Sequence, residues 1–217
     1  MALNEMIIYH GSNSIINKPI FEYGKKYNDY GLGFYCTQSL DLAREWSVTE
    51  NNDGYVNKYK FKFDDLNILY LNKYNILYWI TILLNNRTFT IRNNIAQRGK
   101  DFLLKKYNLD ISSFDVVIGY RADDSYFSYA EDFLNNSLSL KRLEEALKLG
   151  DLGEQIVLIS EKAFNSITFL GSEKVESKKY FPLRLRRNAF ANMKYRTYLS
   201  KKNFDDIYLS DLMKGDN

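Results

Sequence analysis

His10 is the only histidine in this chain. It stands in Ile7-Ile8-Tyr9-His10-Gly11-Ser12, where an apolar run of β type ends in an aromatic, an imidazole, a glycine and a hydroxyl. Gly11 and Ser12 close the strand and leave the imidazole at its mouth. An imidazole there can hold a hydroxyl, move a proton or bind a metal. With one histidine and one cysteine, Cys36, the chain lacks the donors of a structural zinc site and cannot form an internal disulfide framework. A lone histidine is more often structural than functional. The weighting changes with a second segment, Asp29-Tyr30-Gly31-Leu32-Gly33-Phe34-Tyr35-Cys36-Thr37. Cys36 faces away from Tyr35 by strand alternation and has no second histidine to activate it, so it reads as a core residue.

The elements that must position these residues follow from periodicity. Strands are expected over Met6 to His10 and Gly33 to Thr37, then a helix from Leu40 to Trp46 with Ser39 as N-cap. Gly54 to Phe63 alternates Tyr55, Asn57, Tyr59, Phe61 and Phe63 with Val56 and lysines, the pattern of a half-buried antiparallel strand. A short strand, Ile68 to Leu71, precedes an apolar helix from Lys73 to Leu84 capped by Asn72, and a further helix covers Ile91 to Tyr107. Asp115 to Gly119 is a buried strand, followed by a polar turn and helices over Tyr126 to Leu134 and Leu140 to Leu149. Glu154 to Ser160 and Ile167 to Leu170 are strands, and the tail is helical from Leu185, ending in an amphipathic turn over Ile207 to Met213. Strands and helices mix without regular βαβ alternation, so the class is α+β.

A chain of 217 residues with 2 prolines and 11 glycines leaves little room for a flexible linker. We therefore read residues 1–217 as one domain with a basic helical C-terminal segment over about 184–217. Net charge is +3, too small to define a partner class. One stretch is locally basic: from Lys174 to Lys202 it includes Lys178, Lys179, Arg184, Arg186, Arg187, Lys194 and Arg196, opposed by Glu173 and Glu176. It is either a phosphate-facing surface or a solvated helix face. The longest apolar run, Ile76 to Leu84, is too short to span a bilayer. With no secretory signal at its start and a single cysteine, the chain is expected to be cytoplasmic.

Tyr9-His10-Gly11-Ser12, then Gly31-Leu32-Gly33-Phe34-Tyr35, then a late strand opening on Glu154-Gln155, resembles the three-part signature of ADP-ribosyltransferases. The branch is that of diphtheria toxin and the poly(ADP-ribose) polymerases, and more closely an uncharacterised bacterial group within the superfamily. The resemblance runs from about Ile7 to Ser160. It implies a split antiparallel β-sheet core with surrounding helices, NAD as co-substrate, no metal, and release of nicotinamide as ADP-ribose is transferred. By that resemblance His10 holds the ribose next to nicotinamide, the backbone of Gly11 holds the carboxamide, Tyr35 stacks on the nicotinamide ring and Trp46 covers its other face, or else Trp46 is a core residue of its helix face paired with Leu42. Tyr9, Ser12, Gly33 and Phe34 complete the expected NAD-binding set.

The third motif departs from the best-known pattern, in which a glutamate stabilises the cationic transition state. Here the choice is Glu154 or Gln155, which alternation places on opposite faces, and the apolar residues that follow do not decide between them. The resemblance favours Gln155, whose amide brings no negative charge. Asp123, with Asp124, is a candidate for another acid, or else part of an acidic turn or N-cap. The expected function is NAD-dependent mono-ADP-ribosyl transfer to a macromolecule, protein or nucleic acid, in a bacterial toxin-like or regulatory role, with a small neutralising antitoxin-like protein as a further partner. Alternatives are a catalytically weak nucleotide- or RNA-binding module using the same cleft, and an NAD glycohydrolase.

Overall fold

A computed structural model describes residues 4–121, 124–149, 153–200 and 205–215. Two sheets carry the fold. In the first, β1 (Glu5–Ser12), β3 (Gly54–Lys62) and β7 (Ile167–Val175) pair antiparallel in the order β1-β3-β7. In the second the order is β2-β6-β5-β4, made by β2 (Phe34–Cys36), β4 (Ile68–Tyr70), β5 (Val116–Tyr120) and β6 (Glu154–Leu158). The expected antiparallel arrangement holds except for β4 and β5, which are parallel. Their connection runs through α2 (Ile76–Asn86) and α3 (Asn94–Lys106), the kind of crossover that parallel neighbours require. The class is α+β.

The sheets meet at one isolated rung, where Tyr9 and Thr37 exchange backbone hydrogen bonds of 2.8 and 2.9 Å. The carbonyl of Tyr35 lies on the same edge of β2 as that of Thr37, two residues away, and would make the next rung. The imidazole of His10 takes that carbonyl instead, with Nδ1 at 2.7 Å. The ladder stops there, and the sheets part.

Between the sheets Ile8, Cys36, Tyr59, Phe61, Val116, Ile156 and Leu158 form one buried cluster; Cys36 is fully buried, as its alternation with Tyr35 requires, and burial pushes its thiol pKa up. A larger apolar core lies on the other side of the second sheet, around Trp79, Ile80, Tyr129 and Phe133 of α2 and α4 (Asp124–Leu134). The first sheet is backed by α1 (Leu40–Ser47), whose N-cap Ser39 accepts from the N–H of Leu42 as expected. α2 begins later than expected. Leu71–Lys73 forms a 3-10 turn, and the cap is Asn75, which accepts from Leu77 N–H at 2.9 Å.

α5 (Leu140–Ala146) and α6 (Glu161–Asn165) are short, and the chain ends on α7 (Ser177–Ser200) and α8 (Leu209–Lys214). α7 starts eight residues before its expected beginning at Leu185 and runs through Pro182. A proline removes a single N–H and usually marks a boundary; here the fixed start outweighs it. Ser177 is buried, donates its N–H to Asp53 Oδ1 and its hydroxyl to the carbonyls of Thr49 and Glu50. Farther along, Arg187 makes a two-pronged pair with buried Glu45 of α1 at 2.8 and 2.9 Å. No helix among the described residues is long and apolar enough to cross a membrane.

Candidate functional site

Where the sheets part, a cleft of about 1010 Å³ opens. His10, Gly11, Ser12, Gly33, Phe34, Tyr35, Trp46 and Gln155 all line it, together with the segment from Asn13 to Ile20. Residues from three distant stretches of sequence thus meet at one place.

His10 is held from two directions. Its ring stacks on Phe34 with centroids 4.3 Å apart, and its Nδ1 meets the carbonyl of Tyr35. A carbonyl only accepts, so Nδ1 carries the proton and Nε2 of the neutral ring is the acceptor. Burial lowers the pKa of His10 below the ordinary 6.5 and outweighs the opposing effect of the bond to Tyr35. The site therefore presents a neutral imidazole with one acceptor nitrogen, suited to receive a hydroxyl proton in a hydrogen bond.

The second polar centre is Gln155. It is 4 % exposed, whereas Glu154 beside it is exposed, so the amide and not the carboxylate reaches the cleft. Gln155 Nε2 donates to Asp29 Oδ2 and to the carbonyl of Tyr120, both at 3.1 Å. Both neighbours are acceptors, which settles the orientation of the amide and leaves Oε1 as its open acceptor. Asp29 is itself buried, and its other oxygen takes Arg87 at 2.7 Å. The Tyr120 carbonyl also accepts the hydroxyl of Tyr30 at 2.6 Å. These contacts explain why glutamine stands at position 155. A glutamate would face a carboxylate and a carbonyl with no proton to offer either. Asp29 also lines the cleft.

Tyr35 borders the cleft with its hydroxyl engaged, donating to Gly31 O at 2.7 Å and accepting from Tyr30 N–H at 3.1 Å. Its pKa lies far above that of a free phenol, chiefly through burial, so it is a neutral, fixed ring. Trp46 reaches the cleft from α1, and the guanidinium of Arg121 lies 3.3 Å from its ring centroid. One face of Trp46 thus already carries a cation.

The glycines serve packing. A Cβ on Gly11 would come within 2.2 Å of the Ala43 carbonyl oxygen of α1, and one on Gly33 within 2.7 Å of Val157 Cγ1. Gly11 is needed because helix α1 approaches its backbone closely. Ser12 also has internal work: its hydroxyl bonds the carbonyl of Ser14 and accepts from Asn57 at 3.1 Å. Fully buried Asn57 also binds the Ser14 carbonyl and the Ile16 N–H, tying down the start of the segment that follows β1. Among the described residues Tyr9 does not line the cleft; it packs against the buried cluster of Ala43, Val48, Val56 and Val175, and its backbone makes the rung to Thr37. Asp123 lies outside the described residues.

The cleft residues not foreseen as site residues include Asp29, Arg87, Arg121 and Arg184. Arg184 lines the cleft from α7, three residues before the Arg187 anchor. The basic run is therefore divided: Arg187 pairs with Glu45, Lys174 with Asp53, and Arg184 faces the cleft. Beyond the Arg87–Asp29 pair, the cleft is lined by the cations Lys18, Lys25 and Arg184. Such a site favours an anionic ligand. Among those residues no cluster of three or more histidine, cysteine, aspartate or glutamate side chains could hold a metal ion.

No curated protein and no solved structure matches this chain. A family model described as a protein of unknown function (DUF3990) does match, over residues 6–169, which takes in β1, β2, β6 and the polar groups of the cleft except Arg184. The chain belongs to the DUF3990 family.

Proposed function

We propose that the cleft binds NAD and that the protein is an NAD-dependent mono-ADP-ribosyltransferase with an ADP-ribosyltransferase-like split sheet. The observation that carries the reading is the convergence of His10, Tyr35 and Gln155 on one cleft. The groups present suit such a ligand: two hydrogen-bond acceptors, a fixed aromatic ring and an excess of cations for a diphosphate.

NAD supplies a cationic nicotinamide that leaves with the electron pair of its bond to ribose, so positive charge passes to the ribose. His10 Nε2 accepts a ribose hydroxyl and fixes the sugar. Tyr35 offers its ring face to the nicotinamide, an attraction worth about 0.5–2 kcal/mol for a cationic ring. Gln155 directs Oε1, the negative end of its amide dipole, into the site, and Asp29 polarises that amide by accepting from its Nε2. Glu154 is outside the cleft and takes no part. The acceptor is a macromolecule, and an intracellular toxin-like or regulatory role with a small neutralising partner follows from the same reading.

Incubation with labelled NAD tests this. Wild-type protein should release nicotinamide and label an acceptor, whereas His10→Ala and Tyr35→Ala should do neither while remaining folded. Nicotinamide release equal in wild type and variants would overturn the assignment of the site. The amide at position 155 also favours a second reading, a nucleotide-binding module of low activity. Tight NAD binding without nicotinamide release would select it.

A further inference from the structure

The segment between β1 and β2 forms the outer wall of the cleft. It has no regular structure, yet it is fastened at several points. Ile16 N–H binds the buried Asn57 side chain, and the hydroxyl of Tyr59 binds the Ile16 carbonyl. Phe21 meets Phe164 edge-on at 5.5 Å, and Tyr23 N–H closes a turn on the Ile20 carbonyl at 3.3 Å. At the far end Asp29 and Tyr30 are buried. Between these fixed points Tyr23 and Tyr27 are each 78 % exposed. Lys18, Lys25 and Lys26 are exposed around them, against a single exposed carboxylate in the segment, Glu22.

We propose that this wall binds single-stranded nucleic acid, and that a nucleic-acid strand is the macromolecular acceptor of the transferase; the second half rests on the function proposed above. Two aromatic faces held in water on an anchored segment are platforms on which bases of any sequence stack. Lysines interleaved with them neutralise phosphates, and backbone contacts of that kind supply most of the sequence-independent affinity. Tyr23 and Lys25 also line the cleft, so a strand lying on the wall passes the opening where His10 and Gln155 meet. Arg184 lines the same cleft and continues the positive surface inward. The charge pattern favours a polyanion over a protein surface, which would need acidic groups to meet the lysines. In the transfer step the bond between ribose and nicotinamide breaks, nicotinamide keeps the electron pair, and a nucleophilic atom of the strand forms the new bond to ribose and gives up its proton to solvent.

The test uses the full chain and a fluorescent single strand of about 12 nucleotides, as RNA and as DNA, followed by anisotropy and then by incubation with NAD. Wild-type protein should bind the strand, Tyr23→Ala and Tyr27→Ala should each weaken binding about tenfold, and their melting temperatures should match wild type. Lys18→Ala and Lys25→Ala should each flatten the dependence of log affinity on log salt by about 0.7. With NAD present the strand should gain ADP-ribose. Absence of strand binding, or binding unchanged by all four substitutions, overturns this proposal. So does labelling of a protein in place of the strand, although nicotinamide release would then leave the transferase reading standing. Strand binding lost in the variants, with no nicotinamide released by wild type, would uphold the binding surface and overturn the transferase reading together with the acceptor role.

Discussion

The two walls of the cleft are built on opposite terms. The inner wall, carrying His10, Phe34, Tyr35 and Gln155, comes from strand ends, and its polar groups are bound to neighbours before any ligand arrives. The outer wall, from Asn13 to Asn28 with Arg184 of α7 beside it, projects lysines and tyrosines into water and is fastened mainly through its backbone. Geometry is stored in the first wall and charge in the second. Substitutions in the inner wall should therefore cost stability and function together. Those in the outer wall should cost binding alone.

The largest effect is expected at Gly11→Ala. The new methyl would press on the backbone of α1, which cannot yield as a side chain would, and destabilisation of about 3 kcal/mol or more should appear in chemical denaturation. Asp29→Ala should cost about 2 kcal/mol, since it removes the carboxylate that joins half-buried Arg87 to the buried Gln155 amide. Gln155→Glu sharpens the comparison most. The resemblance to glutamate-bearing transferases suggests that this change would raise activity. The contacts of Gln155 imply the opposite: loss of about 2 kcal/mol in stability and no gain in nicotinamide release, because the new carboxylate faces Asp29 and the Tyr120 carbonyl.

Arg184→Ala, on the outer side, should leave stability within about 0.5 kcal/mol and weaken NAD binding about tenfold, measured by calorimetry. The pH dependence carries the smallest signal. The folded pKa of His10 is below 6.5, so neutral His10 contributes stability that is full above about pH 6.5 and is lost as pH falls through the folded value. NAD affinity should be flat from about pH 7 to 8 and decline only on the acid side, as protonation removes the Nε2 acceptor. A decline centred above pH 7 would mean that another group controls the site.

Much of the inner wall was legible because its signals are local. The alternation of Gly54 to Phe63, the Ser39 cap and the burial of Cys36 each depend on residues a few positions apart. The choice between Glu154 and Gln155 was not legible, since both faces of β6 are apolar and the deciding partners, Asp29 and Tyr120, come from elsewhere in the chain. Arg87 gave no signal either: it caps α2, and its role depends on a partner 58 positions away. Asn57 did leave a trace, as the one amide in a run of aromatic positions along β3. The early start of α7 was not legible, because it is fixed by Ser177 and Arg187, not by local propensity.

The central claim is that the parted sheets form an NAD site organised by His10. Titration of NAD into wild-type protein and into folded His10→Ala, at about pH 7.5 where the imidazole is neutral, tests it most directly. Wild type should bind, and the variant, lacking the acceptor for the ribose hydroxyl, should bind about tenfold more weakly or not at all. Equal affinity in the two proteins, or no binding by wild type, would contradict the claim.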